Sequence, residues 1–163
     1  MAGFSNSKAN KGYLRKRFNQ SVAAGERLVG ADYWMVIRGY DQLSILIRTT
    51  QLGEFTREDV EDFVPSGVKI NQHGVFRNQG EFQFQCAETI SGQVLAAVKE
   101  WVMEKAYIDI DIYLATESGG GETGRPVRSY EMVKLYCDAV DLASEDVTAV
   151  VRPSMRAVYN WQE

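Results

Sequence analysis

Histidine, cysteine and proline are scarce in this 163-residue chain, which holds one, two and three of them. With His73 as the only imidazole, a Ser-His-Asp or Cys-His device would have to run through that residue alone. Nothing in the sequence links it to a nucleophile, and beside Gly74 it reads as a surface residue in a turn. Two cysteines and one histidine do not supply the usual four ligands of a structural zinc site. Cys86 and Cys137 fall on the apolar phase of expected strands and read as buried, reduced thiols. A disulfide would require the strands to bring them within bonding reach, which the sequence does not decide. Also missing is any apolar run near the roughly 20 residues of a membrane span. The basic N-terminus lacks the apolar segment of a secretory signal. The expectation is a chain assembled in a cytoplasm, with no membrane insertion.

What is present is ordinary in amount and uneven in distribution. The chain is 45% hydrophobic and 25% charged, enough for one domain with a proper core. Net charge is −4, which makes no global case for nucleic-acid binding. Residues 1–30, however, hold Lys8, Lys11, Arg15, Lys16, Arg17 and Arg27 against Glu26 alone, so the remainder is strongly acidic. The reading is a basic arm over 1–30 attached to a single acidic body over 31–163. Leu14 and Phe18 offer the arm one short helical face, and it either orders on a partner or stays a solvated tail. Tyr13 and Phe18 interleave with its bases, as in a segment that stacks on nucleic acid and binds phosphate. An acidic surface on a like subunit is the other partner it fits.

Alternation dominates the body. Tyr130 to Trp161 reads as two strands around an acidic link, with Val133, Leu135 and Cys137, then Val151, Met155, Tyr159 and Trp161, toward a core. Residues 32–50 read as a hairpin turning at Gly39 to Gln42. Residues 51–64 break the pattern, with Thr56 placed to cap a short helix. Val68 and Ile70 start a strand that turns near Asn71 to Gly74. Phe82, Phe84 and Cys86 alternate with Glu81, Gln83 and Gln85, and Ile108, Ile110, Ile112 and Leu114 alternate with Tyr107, Asp109, Asp111 and Tyr113. One clear helix is expected at about 91–105, capped by Thr89 or Ser91, with an apolar stripe of Val94, Leu95, Val98, Trp101 and Val102. The sum is a mostly antiparallel β-sandwich or open barrel with one packed α-helix.

Several motifs resemble chemistry and reduce to structure. Gly119, Gly121 and Gly124 satisfy G-x-G-x-x-G, but Arg125 to Arg128 lead into a strand where a phosphate site needs a helix. Asp109 and Asp111 share a strand face, as an acid/base or metal pair would, and the simpler reading is a solvent-facing surface. Asp138, Asp141, Glu145 and Asp146 are dense enough for calcium but lack the glycine and terminal glutamate of an EF-hand loop. The expectation is no enzyme, no metal and no cofactor.

The order of these elements resembles the tail-tube proteins of contractile-tailed bacteriophages over about residues 32–163. Asp32 to Gly53 resembles the family's opening hairpin, with its T-x-L turn at Thr50-Gln51-Leu52. Val64 to Ile70 with Asn78 to Glu88 resembles the next strand pair. Ala87 to Lys105, with Trp101, resembles the single helix, and the closing strand ends in Tyr159 and Trp161. The resemblance implies hexameric rings stacked into a hollow tube inside a contractile sheath. Such a tube holds a tape-measure protein and then conducts DNA without sequence-specific binding. It also implies baseplate and tail-terminator partners, and a place in the virion tail. Bacterial secretion tubes share the architecture. Edge strands need protection, and strands 107–114 and 43–50 carry little, so pairing between subunits would remove the liability. On this reading Arg38, Arg48, Lys134, Asp138, Arg152, Ser154 and Arg156 face the bore, though a DNA conduit should not attract its cargo strongly. Lys11, Arg15, Arg17, Phe55, Asp141 and Asp146 fall at subunit contacts, and a bulge is expected at Pro153.

Overall fold

The computed structural model describes residues 9–115 and 124–163. It forms two compact units, Met1–Asp32 and Tyr33–Glu163. In the first, α1 (Lys11–Ala23) starts at Asn10, whose side chain accepts from the Tyr13 N–H, and buries none of its residues. The expected glycine-rich motif at 119–124 lies mostly outside the described residues.

The second unit is mostly antiparallel β. Its strands are β1 (Tyr33–Ile37), β2 (Ile47–Thr50), β3 (Arg57–Phe63), β4 (Lys69–Phe76), β5 (Gly80–Cys86), β6 (Ile108–Leu114), β7 (Arg128–Cys137), β8 (Ser154–Tyr159) and β9 (Trp161–Gln162). Seven of them make one sheet in the order β1-β6-β7-β8-β5-β2, with β9 also on β7, while β3 and β4 form a separate pair. The sheet is barrel-like and nearly closed. Its two halves share β7 and turn their apolar faces onto one core. Met35, Ile37, Ile110 and Ile112 come from one half, and Phe82, Phe84, Met155 and Ala157 from the other. The helix α2 (Gln93–Met103) adds Val94, Ala97, Val98 and Trp101 to that core.

A bulge in β7 makes the fold-over possible. Ile110 pairs with Tyr130 and Ile108 with Val133, so β7 carries one residue more than β6 over that interval. Met132 takes φ 51°, and its N–H donates to Asp109 Oδ1 at 3.1 Å. Before the bulge β7 pairs with β9; after it, with β8. Asn160, between β8 and β9, answers the slip. Its N–H donates to Glu131 O and its Nδ2 to Met132 O at 2.8 Å. The inward phase therefore shifts by one residue, and Gln162 is buried while Trp161 is 43% exposed.

That shift corrects the expectation that Trp161 lies in the core: simple alternation from Tyr159 carries it there, and the slip at Asn160 turns it out. Other expectations fail for equally local reasons. β1 and β2 are not a hairpin; a 3-10 turn (Asp41–Leu46) separates them, and they end at opposite margins of the sheet. Residues 57–63 are strand, not helix, and β4 runs through 71–74 without a turn, which places His73 opposite Asp59 in a ladder. The last strand starts only after Pro153, whose carbonyl accepts from the Cys86 N–H, so no bulge is needed there and Val151 lies before it. The helix is capped by Glu88, whose carboxylate accepts from the N–H groups of Val94 and Leu95, and not by Thr89 or Ser91. Leu95 and Val102 are exposed, and Ala97 takes the buried position. β6 lies between β1 and β7, so it is not an edge; β1 and β2 are. Both cysteines are free, and burial pushes the Cys86 thiol up to about 12.

One end of the core is aromatic with polar tips. Phe82, Tyr130 and Tyr159 stack with centroids 4.6–6.2 Å apart. Tyr130 Oη accepts from the Gly53 N–H at 2.7 Å, and Tyr159 Oη donates to Glu54 O. Gly80 has no side chain because there is no room: a Cβ there would stand 2.7 Å from Tyr159 Cζ. Tyr159 is fully buried and has nowhere to retreat. We therefore expect Gly80→Ala to destabilise the fold by about 1–3 kcal/mol, as overpacking does. Gly30→Ala, at an open position, should be near neutral. Urea denaturation of both variants checks this, and equal midpoints would show that the aromatic cluster yields.

Candidate assembly surfaces

The four strands β2, β5, β8 and β7 present one outward face opposite the core. Ladder partners place Lys134 beside Val158 and Tyr136 beside Arg156, with Gln83 across from Arg156 and Ser154 across from Gln85. Arg156 lies over the Tyr136 ring at 5.0 Å and approaches Glu81 at 3.9 Å. Arg48 sits at the irregular step of β2 and donates to Ile45 O. Lys134, Ser154 and Arg156 are thus brought onto one face, with Arg48 at its margin. Asp138 and Arg152 are exposed just past the ends of β7 and before β8.

Arg38 belongs elsewhere. It follows β1 and donates to both carboxylate oxygens of Asp111 on β6, at 2.8 and 2.9 Å. Asp111 also accepts from Ser129 Oγ at 2.7 Å. Asp111 is only 7% exposed, which overturns its reading as a solvent-facing acid; the Val36 and Ser129 neighbours on either strand close over it. Asp109, its companion, stays half-exposed and holds the β7 bulge. Burial pushes the Asp111 carboxyl up, and the hydrogen bonds from Arg38 and Ser129 more than reverse this, so its pKa lies below the usual carboxylate range. The pair is a structural clamp across β1, β6 and β7.

The β3–β4 hairpin has two unlike faces, a feature sequence reasoning missed. One carries Asp59, Glu61, Lys69, Asn71 and His73, with Phe63 beside Lys69 near the turn and with Lys69 and Glu61 paired at 2.8 Å. The other carries Val60, Val64, Val68 and Ile70 together with Asp62 and Gln72, and Val60, Val68 and Ile70 are 42–59% exposed. The available signal was the recurrence of Val60, Val64, Val68 and Ile70 at even positions, obscured by the run of acids that resembles a helix start. The turn places Ser66 at φ 81°. The hairpin is rooted firmly: Phe55 packs edge-on to Phe76, Phe76 to Trp161, and Arg128 covers Phe55 at 4.4 Å. Buried Gln162 donates to Glu54 O and Arg77 O, one on each side of the root. Phe55 therefore serves the root, although it remains 55% exposed.

Residues 138–153 carry no regular strand or helix. They wall an open groove of about 890 Å³ with Gln85 and Ser154. Asp141 and Asp146 both line it, and Asp146 accepts from the Ala149 N–H. Lys11, Arg15 and Arg17 are exposed on α1, where Arg15 stacks on Phe18 and Arg17 on Tyr13. Among the described residues no cluster of acids, cysteines and histidine has a metal-binding arrangement, and no helix is long and apolar enough to cross a membrane.

Acid stability tests the clamp. A carboxyl held below its unfolded value, about 3.9, contributes stability that is complete above that value. The contribution is lost as pH falls through the folded pKa. Asp111→Asn should flatten that part of the acid limb. It should also cost about 1–3 kcal/mol at neutral pH through the unpaired guanidinium and hydroxyl. Thermal melts from pH 2 to 7 read both effects; parallel wild-type and variant profiles would exclude the clamp.

No protein-family model and no curated protein matches the chain. Solved structures do. A chain of the anti-feeding prophage cap, the AFP tube-terminating cap, superposes with TM-score 0.61 at 12% identity, covering 100% of this chain and 97% of that one. A chain of the sheath/tube terminator of the extracellular contractile injection system PVC, in its extended state, gives 0.62 at 9% identity, over 85% and 96%. A chain of the PVC sheath–tube complex gives 0.59 at 12% identity, over 88% and 95%. The fold is the tail-tube-like fold found in contractile injection machines.

Proposed function

We propose that this chain is a structural, non-enzymatic subunit of a contractile machine's tube, the tail tube of a bacteriophage. Copies form hexameric rings that stack into a hollow tube inside a sheath. The bore holds a tape measure and then passes DNA, and the tube starts on a baseplate and ends at a terminator. The place of the protein is the virion tail, assembled in the host cytoplasm. The observation that carries this reading is the shared fold, which spans nearly the whole length of chains from tube, cap and terminator assemblies. A secretion tube of the same architecture is the near alternative. A terminating ring is another, favoured by the full-length likeness to a tube-terminating cap.

Two features support assembly on physical grounds. Among the described residues, β2 pairs with β5 along one edge only and ends one margin of the sheet. Joining the β2 edge of one copy to a neighbour would continue the four-stranded half around a ring, as closure of edges requires. Its outward face, with Arg48, Lys134, Ser154 and Arg156, would then line the bore. Arg156 is already engaged by Tyr136 and Glu81, which reduces the pull on a passing polyanion. The hairpin is the second feature. Two strands alone are marginal in water, and an exposed apolar face calls for a partner surface. A neighbouring ring supplies one.

Negative-stain electron microscopy of the purified chain tests the reading. Hollow tubes support the tube subunit, and single discs support the terminating ring. A strict monomer at high concentration, also in the presence of a baseplate, would overturn both. Val60→Asp with Ile70→Asp should leave the melting temperature almost unchanged and shorten the tubes to single or few rings.

A further inference from the structure

The arm helix and the 138–153 groove are each incomplete, and in complementary ways. α1 has 13 residues and buries none of them. Isolated helices of that length are marginal in water, so a surface must favour this one. Leu14, Phe18 and Val22 recur every four residues and make a stripe whose members are 53–62% exposed. Lys11 and Arg15 flank it on one side and Arg17 on the other. The helix carries four bases and no acid.

The groove is the reverse. Its lining mixes Leu142, Val150 and Val151 with Asp141 and Asp146, and Arg152 is the one base on it. Leu142 and Val150 are 79% and 56% exposed. Over 138–153 four acids face one base, Arg152. A groove lined by exposed apolar side chains and a net of acids matches a helix whose apolar stripe has basic margins, and opposite charge also speeds and orients the encounter.

We infer that α1 of one copy docks in the 138–153 groove of a second copy, with Leu14, Phe18 and Val22 against Leu142 and Val150. Arg15 and Arg17 then approach Asp141 and Asp146. The occupant is a second copy because the complementary halves are present in equal number in one sequence. In a ring or stack, each subunit then gives one arm and receives one. This deepens the tube reading by naming one contact, yet the two fail separately.

The test uses the full chain in sedimentation velocity at low and physiological salt. Arg15→Glu with Arg17→Glu should weaken self-association about tenfold or more, and so should Asp141→Lys with Asp146→Lys. The fourfold charge swap should restore it. In a mixture of light and heavy-isotope protein, a zero-length carbodiimide should join Lys11 or Lys16 to Asp141 or Asp146 across isotopes. Association that neither reversal changes, or that is absent from the wild type, would overturn the inference. So would crosslinks only within one isotope, which would show the arm on its own body. Reversals that abolish binding of a single-stranded oligonucleotide but leave association intact would overturn it in favour of nucleic acid. Normal tubes from the Arg15→Glu, Arg17→Glu protein would remove the arm contact and keep the tube. Association restored by the swap, with no rings from any protein, would do the opposite.

Discussion

The extra residue in β7 is the constraint on which the rest depends. A strand of ten residues that stayed in phase would keep one face toward the core throughout, and its sheet would remain open. The bulge at Met132 lets β7 serve β6 and β9 with one half and β8 with the other. Both halves still turn apolar residues inward, Tyr130 before the slip and Val133 and Leu135 after it. A non-glycine residue at positive φ carries strain. Here two side chains offset it: Asp109 accepts from the Met132 N–H, and Asn160 Nδ2 donates to the Met132 carbonyl. The fold-over places an apolar core between the halves and puts β1 and β2 at the two margins of the sheet.

The same slip decides where the hairpin stands. Because Asn160 shifts the phase, Gln162 turns inward and its amide reaches Glu54 O and Arg77 O. Trp161 turns outward and completes the aromatic root with Phe76 and Phe55. A two-stranded element that would be marginal alone is held at its base by buried polar and aromatic contacts, while its apolar face is left open. The internal bulge and the external projection are therefore one design, linked through three consecutive residues at the C-terminal end.

Alternation in the sequence was enough to find the strands that touch the core on one face. Phe82, Phe84 and Cys86, or Ile108, Ile110 and Ile112, announce themselves because period two is maintained and the partner face is polar. It was blind where the period slips or the pattern has no core behind it. Trp161 was misplaced because a bulge has no compositional mark when its residue is Met and not Gly. β3 was misread because its inward partner is no core at all, so acids filled both faces and imitated a helix start. Asp111 was assigned to solvent because its guanidinium partner lies 73 residues away on another strand, a relation that pattern cannot carry. Pairing of β1 with β6, and not with β2, is likewise a long-range choice, made where a 3-10 turn displaces the chain after Tyr40. Of the residues expected to face a bore, Lys134, Ser154 and Arg156 share a face because their own strands are neighbours. Arg38 looked the same in sequence and lies on the other half.

What this surface leaves exposed bears on how copies of the chain would assemble under the proposed function. Single apolar side chains on a surface mean little, and so do scattered charges. Among the described residues three exposed features suit a partner: the β2 edge, the hairpin face with Val60, Val68 and Ile70, and the basic helix α1 with its apolar stripe. The chain contains edges, ladders and grooves that a second copy could satisfy. Self-complementarity between separated patches leads to head-to-tail contacts, which close into rings or continue as filaments according to the rotation between copies. A tube requires both outcomes at once, closure in one direction and continuation in the other. Two independent sets of half-contacts, a sheet edge for one direction and a hairpin or arm for the other, are the least that such an object needs.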